Sequence, residues 1–194
     1  MGRRSCCVND GSTAYIGLGA NLGDRSGTLR EAVQRLGDLG VVTSVSSLYE
    51  TAPVGYEAQP SFLNAVVELQ TTLDASQLIQ ALLQIEASLG RTRSFRNAPR
   101  TLDLDLLLLG AIVLATSSAL VPHPRLHERS FVLTPLAELA PDAVHPVLGR
   151  TMSQLSDALG FSDGVKLAAG PAWVTPPAGG AGTTAGHSGN PASS

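Results

Sequence analysis

Two amphipathic helical stretches set among four strand-like runs predict an α/β fold of the α+β sandwich kind, with a ferredoxin-like βαββαβ core. Three observations carry this. Phe62 to Gln70 alternates as a half-buried strand does. Leu78, Ile79, Leu82, Leu83, Ile85 and Leu89 recur at helical spacing. The element order is strand, helix, strand, strand, helix, strand, that of the split βαβ arrangement. Such a sheet packs its helices on one face and leaves the other for chemistry. Further helices and short strands are expected toward the C-terminus.

Ala14 to Leu18 reads as the first strand. The run Gly17 to Asp24, GLGANLGD, resembles a dinucleotide fingerprint only loosely, because its third glycine falls one position late. It reads as a strand-to-helix connection. Leu29, Ala32, Val33 and Leu36 follow at helical spacing, and Gly37 can end that helix. Val41 to Tyr49, rich in Val, Ser and Thr, reads as the second strand. Glu50 to Pro60 holds two prolines and a glycine and is a loop, either a flap or a plain hairpin connection.

In the third strand Leu63, Ala65, Val67 and Leu69 belong to the core, which puts Phe62 and Asn64 together on the opposite face. An aromatic ring beside an amide suits a flat heteroaromatic ligand. A surface Phe under a loop gives the same pattern. Asp74 with Gln77 forms a capping box for the second helix, which stops at Gly90.

Arg91, Arg93, Arg96 and Arg100 then fall in a stretch without an acidic residue, and Asp103 and Asp105 follow at once among leucines. Read as a strand, Leu102, Leu104 and Leu106 face the core while both aspartates share the other face. Their roots then lie roughly 6.5–7 Å apart. Carboxylate tips so placed can converge on hard cations, and a metal pair in phosphoryl transfer sits about 3.5–4 Å apart. Arginines supply fixed forks for phosphate oxygens. The alternative is a half-exposed strand with a wet acidic face. Against it, Leu106 to Leu109 looks like a central strand buried on both sides, where carboxylates need partners.

The chain has 194 residues, 43% of them hydrophobic, which fits one domain with tails. No apolar run reaches the roughly 18–20 residues of a membrane helix. The N-terminus has charge but no apolar segment, so a secretory signal is not expected. Cys6 and Cys7 are adjacent and form neither a disulfide framework nor a metal motif. These features lead to the expectation of a cytoplasmic location. A net charge of −3 argues against general nucleic-acid binding, whereas the local arginines suit a small anion.

Val121-Pro122-His123-Pro124 reads as a stiff turn in which His123 is either a ligand-facing or a structural histidine. Arg125 to Arg129 is expected as a short helix and Ser130 to Leu133 as a short strand. Thr134 to Leu139 and Thr151 to Leu159 complete the helices. Residues 1–12 are expected to form a flexible arm, 13–163 a single domain, and 164–194 a low-complexity, disordered tail. Trp173 and His187, in or near that tail, carry no assigned role.

Tyr15-Ile16-Gly17-Leu18-Gly19-Ala20-Asn21-Leu22-Gly23, Phe62-Leu63-Asn64, Pro99-Arg100-Thr101-Leu102-Asp103-Leu104-Asp105 and Val121-Pro122-His123-Pro124 occur in the order and spacing of one family. Together they resemble the 6-hydroxymethyl-7,8-dihydropterin pyrophosphokinases of folate biosynthesis, over about residues 13–160. The resemblance implies transfer of pyrophosphate from ATP to the pterin alcohol, with two Mg2+ ions bridged by Asp103 and Asp105. It implies that Arg91 and Arg100 engage ATP phosphates, joined by His123 and Arg129, with Arg93 and Arg96 in a mobile loop. It implies that Thr51, Val54 and Asn64 hold the pterin edge and that Phe62 and Phe131 line its slot. ATP and the pterin alcohol are the expected partners of a monomer, with neither nucleic acid nor membrane. No dihydropteroate synthase region follows, so a fused enzyme is not expected. The chain departs from many members at Asn97-Ala98, where they carry Trp-Gly, and at Pro124, where they often carry Tyr. The other readings are a metal-dependent phosphohydrolase using the same acid pair, and a non-catalytic nucleotide-binding module.

Overall fold

The computed structural model describes residues 11–53, 59–90, 99–116, 119–160 and 164–175. Strand β1 (Ser12–Ala20) leads to helix α1 (Arg25–Leu36), then β2 (Val41–Val45), β3 (Leu48–Thr51), β4 (Phe62–Thr71) and helix α2 (Ala75–Ser88). Strand β5 (Asp103–Leu109) is followed by a small β6–β7 pair (Leu114–Ala115 and Leu120–Val121). Helices α3 (Ser130–Leu139) and α4 (Met152–Leu159) precede a last strand, β8 (Val165–Ala169). The main sheet runs β5-β1-β4-β3-β8, with β2 also paired to β4. Its pairs are antiparallel. Strands β5, β1, β4 and β3 have the ferredoxin-like order, so the predicted fold class is observed.

Each face has its own core. Leu63, Ala65, Val67 and Leu69 of β4 point to α1 and α2, where they meet Leu29, Ala32, Leu36, Leu78 and Leu82. The opposite face, expected to be free, is in part covered. There Val66, Leu107 and Leu108 pack under Val132, Leu133 and Leu136 of α3 and Met152 and Leu155 of α4. The capping box at Asp74 and Gln77 starts α2 as predicted, and Gly90 follows it at φ +81°.

Several expectations are corrected. β1 continues through Gly17 and Gly19 to Ala20, so those glycines belong to a strand rather than to a connection. The single strand expected over 41–49 is two. Between the pairs Val45↔Val67 and Tyr49↔Asn64, the β2–β3 side uses one residue more than β4. At the break the Ser46 hydroxyl accepts the Val66 N–H at 2.9 Å, replacing a main-chain carbonyl.

β5 is at a sheet edge, not central. It is nevertheless covered on both faces, because its register with β1 slips between Tyr15 and Ile16. Leu107 is the extra residue, which sends Leu106 and Leu109 to one core and Leu107 and Leu108 to the other. Its free edge is met elsewhere: the Leu104 N–H donates to Glu86 of α2 at 2.7 Å, and the His123 N–H donates to the Leu107 carbonyl at 2.9 Å.

Ser130 to Leu133 is the first turn of α3 rather than a strand. A helix places Val132, Leu133 and Leu136 on one buried stripe, which two separate elements would not. Residues 164–175, assigned to the tail on composition, are structured. β8 extends the sheet beside β3, and Trp173 is buried in the larger core.

Candidate active site

A cleft of about 430 Å³ opens on the part of the sheet that α3 and α4 leave bare. Its floor follows from strand register. Tyr49, Asn64, Gly19 and Asp103 occupy one lateral row across β3, β4, β1 and β5. Laterally paired residues point to the same face, so Asn64 and Asp103 rise on either side of a glycine. A Cβ at Gly19 would meet the Asn64 Oδ1 at 3.3 Å and the Asp103 Cβ at 3.8 Å. The glycine therefore keeps the floor flat between the amide and the acid. In the next row Gly17 stands beside Asp105.

At one end, buried Asn64 donates its amide N–H to the Thr51 hydroxyl at 2.8 Å. Phe62 and Phe131 line the same end as the loop residue Gln59. The loop begins and ends at one clamp. Arg25 donates to the Glu50 carboxylate at 2.9 Å and to the Ser61 carbonyl at 2.8 Å. The Ser61 hydroxyl, followed by Arg25, holds the Glu50 carboxyl below the usual carboxylate range.

At the other end, Asp103 and Asp105 line the cleft as neighbours on one face of β5. The Arg100 guanidinium pairs with the Asp103 carboxylate. Burial first, and the charge of Asp103 second, push the Asp105 carboxyl up to about 6. His123 is pulled down to about 4, by burial and then by Arg129, so it is neutral at neutral pH. Its Nδ1 accepts the Arg125 N–H at 3.2 Å, which leaves the proton on Nε2. Burial and Arg125 lower the pKa of Arg129, and its guanidinium carbon lies 5.6 Å from the Phe131 ring centre.

Thus Thr51, Phe62, Asn64, Arg100, Asp103, Asp105, His123, Arg129 and Phe131, singled out in the sequence, line one cleft. Val54, Arg91, Arg93 and Arg96 lie outside the described residues. Gln59, Arg125, Glu128 and Ser130 also line the cleft and were not singled out. Their closeness in sequence to His123 and Arg129 is the signal that could have found the last three. Gln59 has none, since its place depends on Asn21, far away in sequence.

Asn21 is buried where the two loops meet. Its side-chain N–H donates to Gln59 at 2.8 Å and to the Pro60 carbonyl at 3.3 Å, and its Oδ1 accepts the Arg100 N–H at 2.8 Å. The Asn21 N–H donates to the Arg100 carbonyl at 3.2 Å. The asparagine of the GANLG run therefore ties Arg100 to the base of the facing loop. Asn21→Ala should cost about 2 kcal/mol, read as a fall in the urea midpoint. An unchanged midpoint would show that these bonds add no net stability.

The acid pair fits a hard divalent cation. Two carboxylates share a face, burial and the neighbouring carboxylate raise the pKa of one of them, and the cleft has room for further oxygen ligands. Among the described residues no group of three or more His, Cys, Asp or Glu side chains gathers. Among the same residues no helix is long and apolar enough to cross a membrane.

The family model for 7,8-dihydro-6-hydroxymethylpterin-pyrophosphokinase matches residues 15–141. The chain belongs to this family. Within the pyrophosphokinase family, it is 53% identical over 128 residues to the 2-amino-4-hydroxy-6-hydroxymethyldihydropteridine pyrophosphokinase of Bacillus subtilis (strain 168). That match covers 65% of this chain and 77% of the Bacillus protein. It is 34% identical over 143 residues to the enzyme of the same name from Aquifex aeolicus (strain VF5), covering 74% and 89%. The folic acid synthesis protein fol1 of Pneumocystis carinii is 41% identical over 145 residues, covering 74% of this chain but only 20% of that protein. The crystal structure of Plasmodium falciparum HPPK-DHPS wild type with SDX-DHP superposes at a TM-score of 0.61 and 16% identity. It covers 81% of this chain and 48% of that one, a likeness of fold.

Proposed function

We propose that this pyrophosphokinase moves the pyrophosphoryl group of ATP to the hydroxymethyl oxygen of 6-hydroxymethyl-7,8-dihydropterin, releasing AMP. The observation that carries this reading is the row in which Asn64, Gly19 and Asp103 stand side by side. A ring held at the asparagine brings its substituent next to the acid pair. Asn64 and Thr51 offer donors and acceptors to the pterin amide edge, and Phe62 and Phe131 offer apolar surface to its faces. Arg100 and Arg129 offer guanidinium forks to the phosphates, with Arg91 and Arg93 as further candidates. Neutral His123 offers one Nε2–H donor. Asp103 and Asp105 would hold Mg2+, which when bound neutralises phosphate charge; two ions are the expectation.

The new bond joins the pterin oxygen to the β-phosphorus. The bond that breaks joins that phosphorus to the oxygen bridging to the α-phosphate, and its electron pair leaves with AMP. The hydroxyl proton passes to water, and no side chain is assigned as its acceptor. Positioning and charge neutralisation supply the acceleration, as phosphoryl transfer requires.

A hydrolase would need no ring slot, and the family match speaks against a non-catalytic module. The test is AMP release with ATP and Mg2+, with and without the pterin alcohol. AMP should appear only with the alcohol, matched by the pterin diphosphate. AMP or phosphate released without it would overturn the reading. Asn64→Ala should raise the pterin KM by roughly 10–100-fold while the ATP KM stays within about threefold. Equal effects on both substrates would remove Asn64 from the pterin slot.

A further inference from the structure

We propose that the C-terminal strap, residues 165–174, is a positioning element for the pterin half of the site, acting through β3. This rests on the reading that Thr51 and Asn64 hold the pterin. The strap lies beyond the residues that the family model matches.

β3 is short and is separated from β2 by the break at Ser46 and Ser47. On the β4 side it has only the pairs Tyr49↔Asn64, Glu50↔Leu63 and Thr51↔Phe62. β8 supplies its other side, pairing Leu48↔Ala169, Tyr49↔Leu167, Glu50↔Lys166 and Thr51↔Val165. The last of these reaches the residue that accepts the Asn64 amide.

Trp173 locks the strap at its far end. It is 6% exposed, and its Nε1–H donates to the Ser46 carbonyl at 2.9 Å. Its own carbonyl accepts the Arg30 Nε–H of α1 at 2.7 Å. Ser46 in turn exchanges bonds with Val66: its N–H donates to the Val66 carbonyl, and its hydroxyl accepts the Val66 N–H. One indole thus fixes the residue that sets where β3 begins against β4. The phosphate half stands on β5, at the other edge of the sheet. A loosened strap should therefore reach the pterin before it reaches ATP.

The experiment compares the full chain with Trp173→Ala, Trp173→Phe and Leu155→Ala. Leu155 packs in the second core and serves as a control for general loosening. Trp173→Ala should raise the pterin KM roughly tenfold, with kcat and the ATP KM within about twofold, and Trp173→Phe should show a smaller shift of the same kind. Leu155→Ala should lower the melting temperature without separating the two KM values. If Trp173→Ala does not fold, Trp173→Phe decides alone: a raised pterin KM supports the strap, and unchanged values overturn it. Equal rises in both KM values, or a split in Leu155→Ala as well, would also overturn it. Failure of the full chain to make pterin diphosphate would instead defeat the underlying reading, so the two failures are distinct.

Discussion

Asp105→Asn should abolish pterin diphosphate formation and yet raise the melting temperature of the ligand-free protein at pH 7. The cause is the cost of holding a second carboxylate beside Asp103 in a half-buried place. Asp105 titrates at about 6 in the fold against an ordinary value of 3.8. Between these values the folded chain binds more protons than the unfolded one. Stability therefore falls as pH rises through that window, and the loss persists above it. The difference corresponds to about 2–3 kcal/mol at pH 7. An asparagine is neutral throughout and escapes that loss, so the gain should shrink as pH falls from about 6 and vanish only below the ordinary value of 3.8. Mg2+ with ATP should reverse the order, because only the wild type keeps both carboxylates for the cation. The turnover loss should be on the order of a thousandfold or more. Wild-type turnover in this variant would remove the metal assignment. A variant both inactive and less stable at pH 7 would show that Asp105 is held by the fold rather than kept for a ligand.

Arg100→Met should lower kcat by roughly 100–1000-fold and raise the ATP KM, with the fold retained. The main chain of Arg100 is fixed by Asn21 whatever its side chain, so the substitution removes the guanidinium and little else. Asp103 then loses its ion-pair partner, and a phosphate loses a two-pronged donor. Arg100→Lys should recover only a small part. An ammonium offers a point charge, whereas a guanidinium fork could reach the Asp103 carboxylate and a phosphate at once. Steady-state kinetics of the pair checks this, and a lysine variant with wild-type constants would show that charge alone suffices.

The site was legible where chemistry follows from strand alternation. Phe62 with Asn64, and Asp103 with Asp105, needed only the period of two to be placed on one face. Neighbouring strands could then meet in one way. The helix start at Asp74 was legible for a similar reason, since a capping box is local. What escaped was set by distant partners. Ser46 breaks its strand because its hydroxyl takes over a β4 amide. The leucine run of β5 serves two cores because of one slipped residue. β8 is only five residues long, set between Gly164 and Gly170, and so falls in with the Gly-, Ala- and Pro-rich run that follows. Trp173 carries no legible role in the sequence, because the residue it anchors on, Ser46, is far upstream. Gly17 and Gly19 misled in another way. Their run reads locally as a strand-to-helix connection, whereas within β1 they clear the floor of a cleft.

A divalent cation at Asp103 and Asp105 and a ring at Asn64 should stand close enough to react. Proton relaxation of hydroxymethyldihydropterin, bound together with Mn2+ and a non-hydrolysable ATP analogue, measures that proximity. Strong paramagnetic broadening of the hydroxymethyl protons is predicted for the wild type, and its loss in Asp105→Asn with the pterin still bound. Sharp hydroxymethyl lines in the wild type, with cation, nucleotide and pterin all bound, would contradict it.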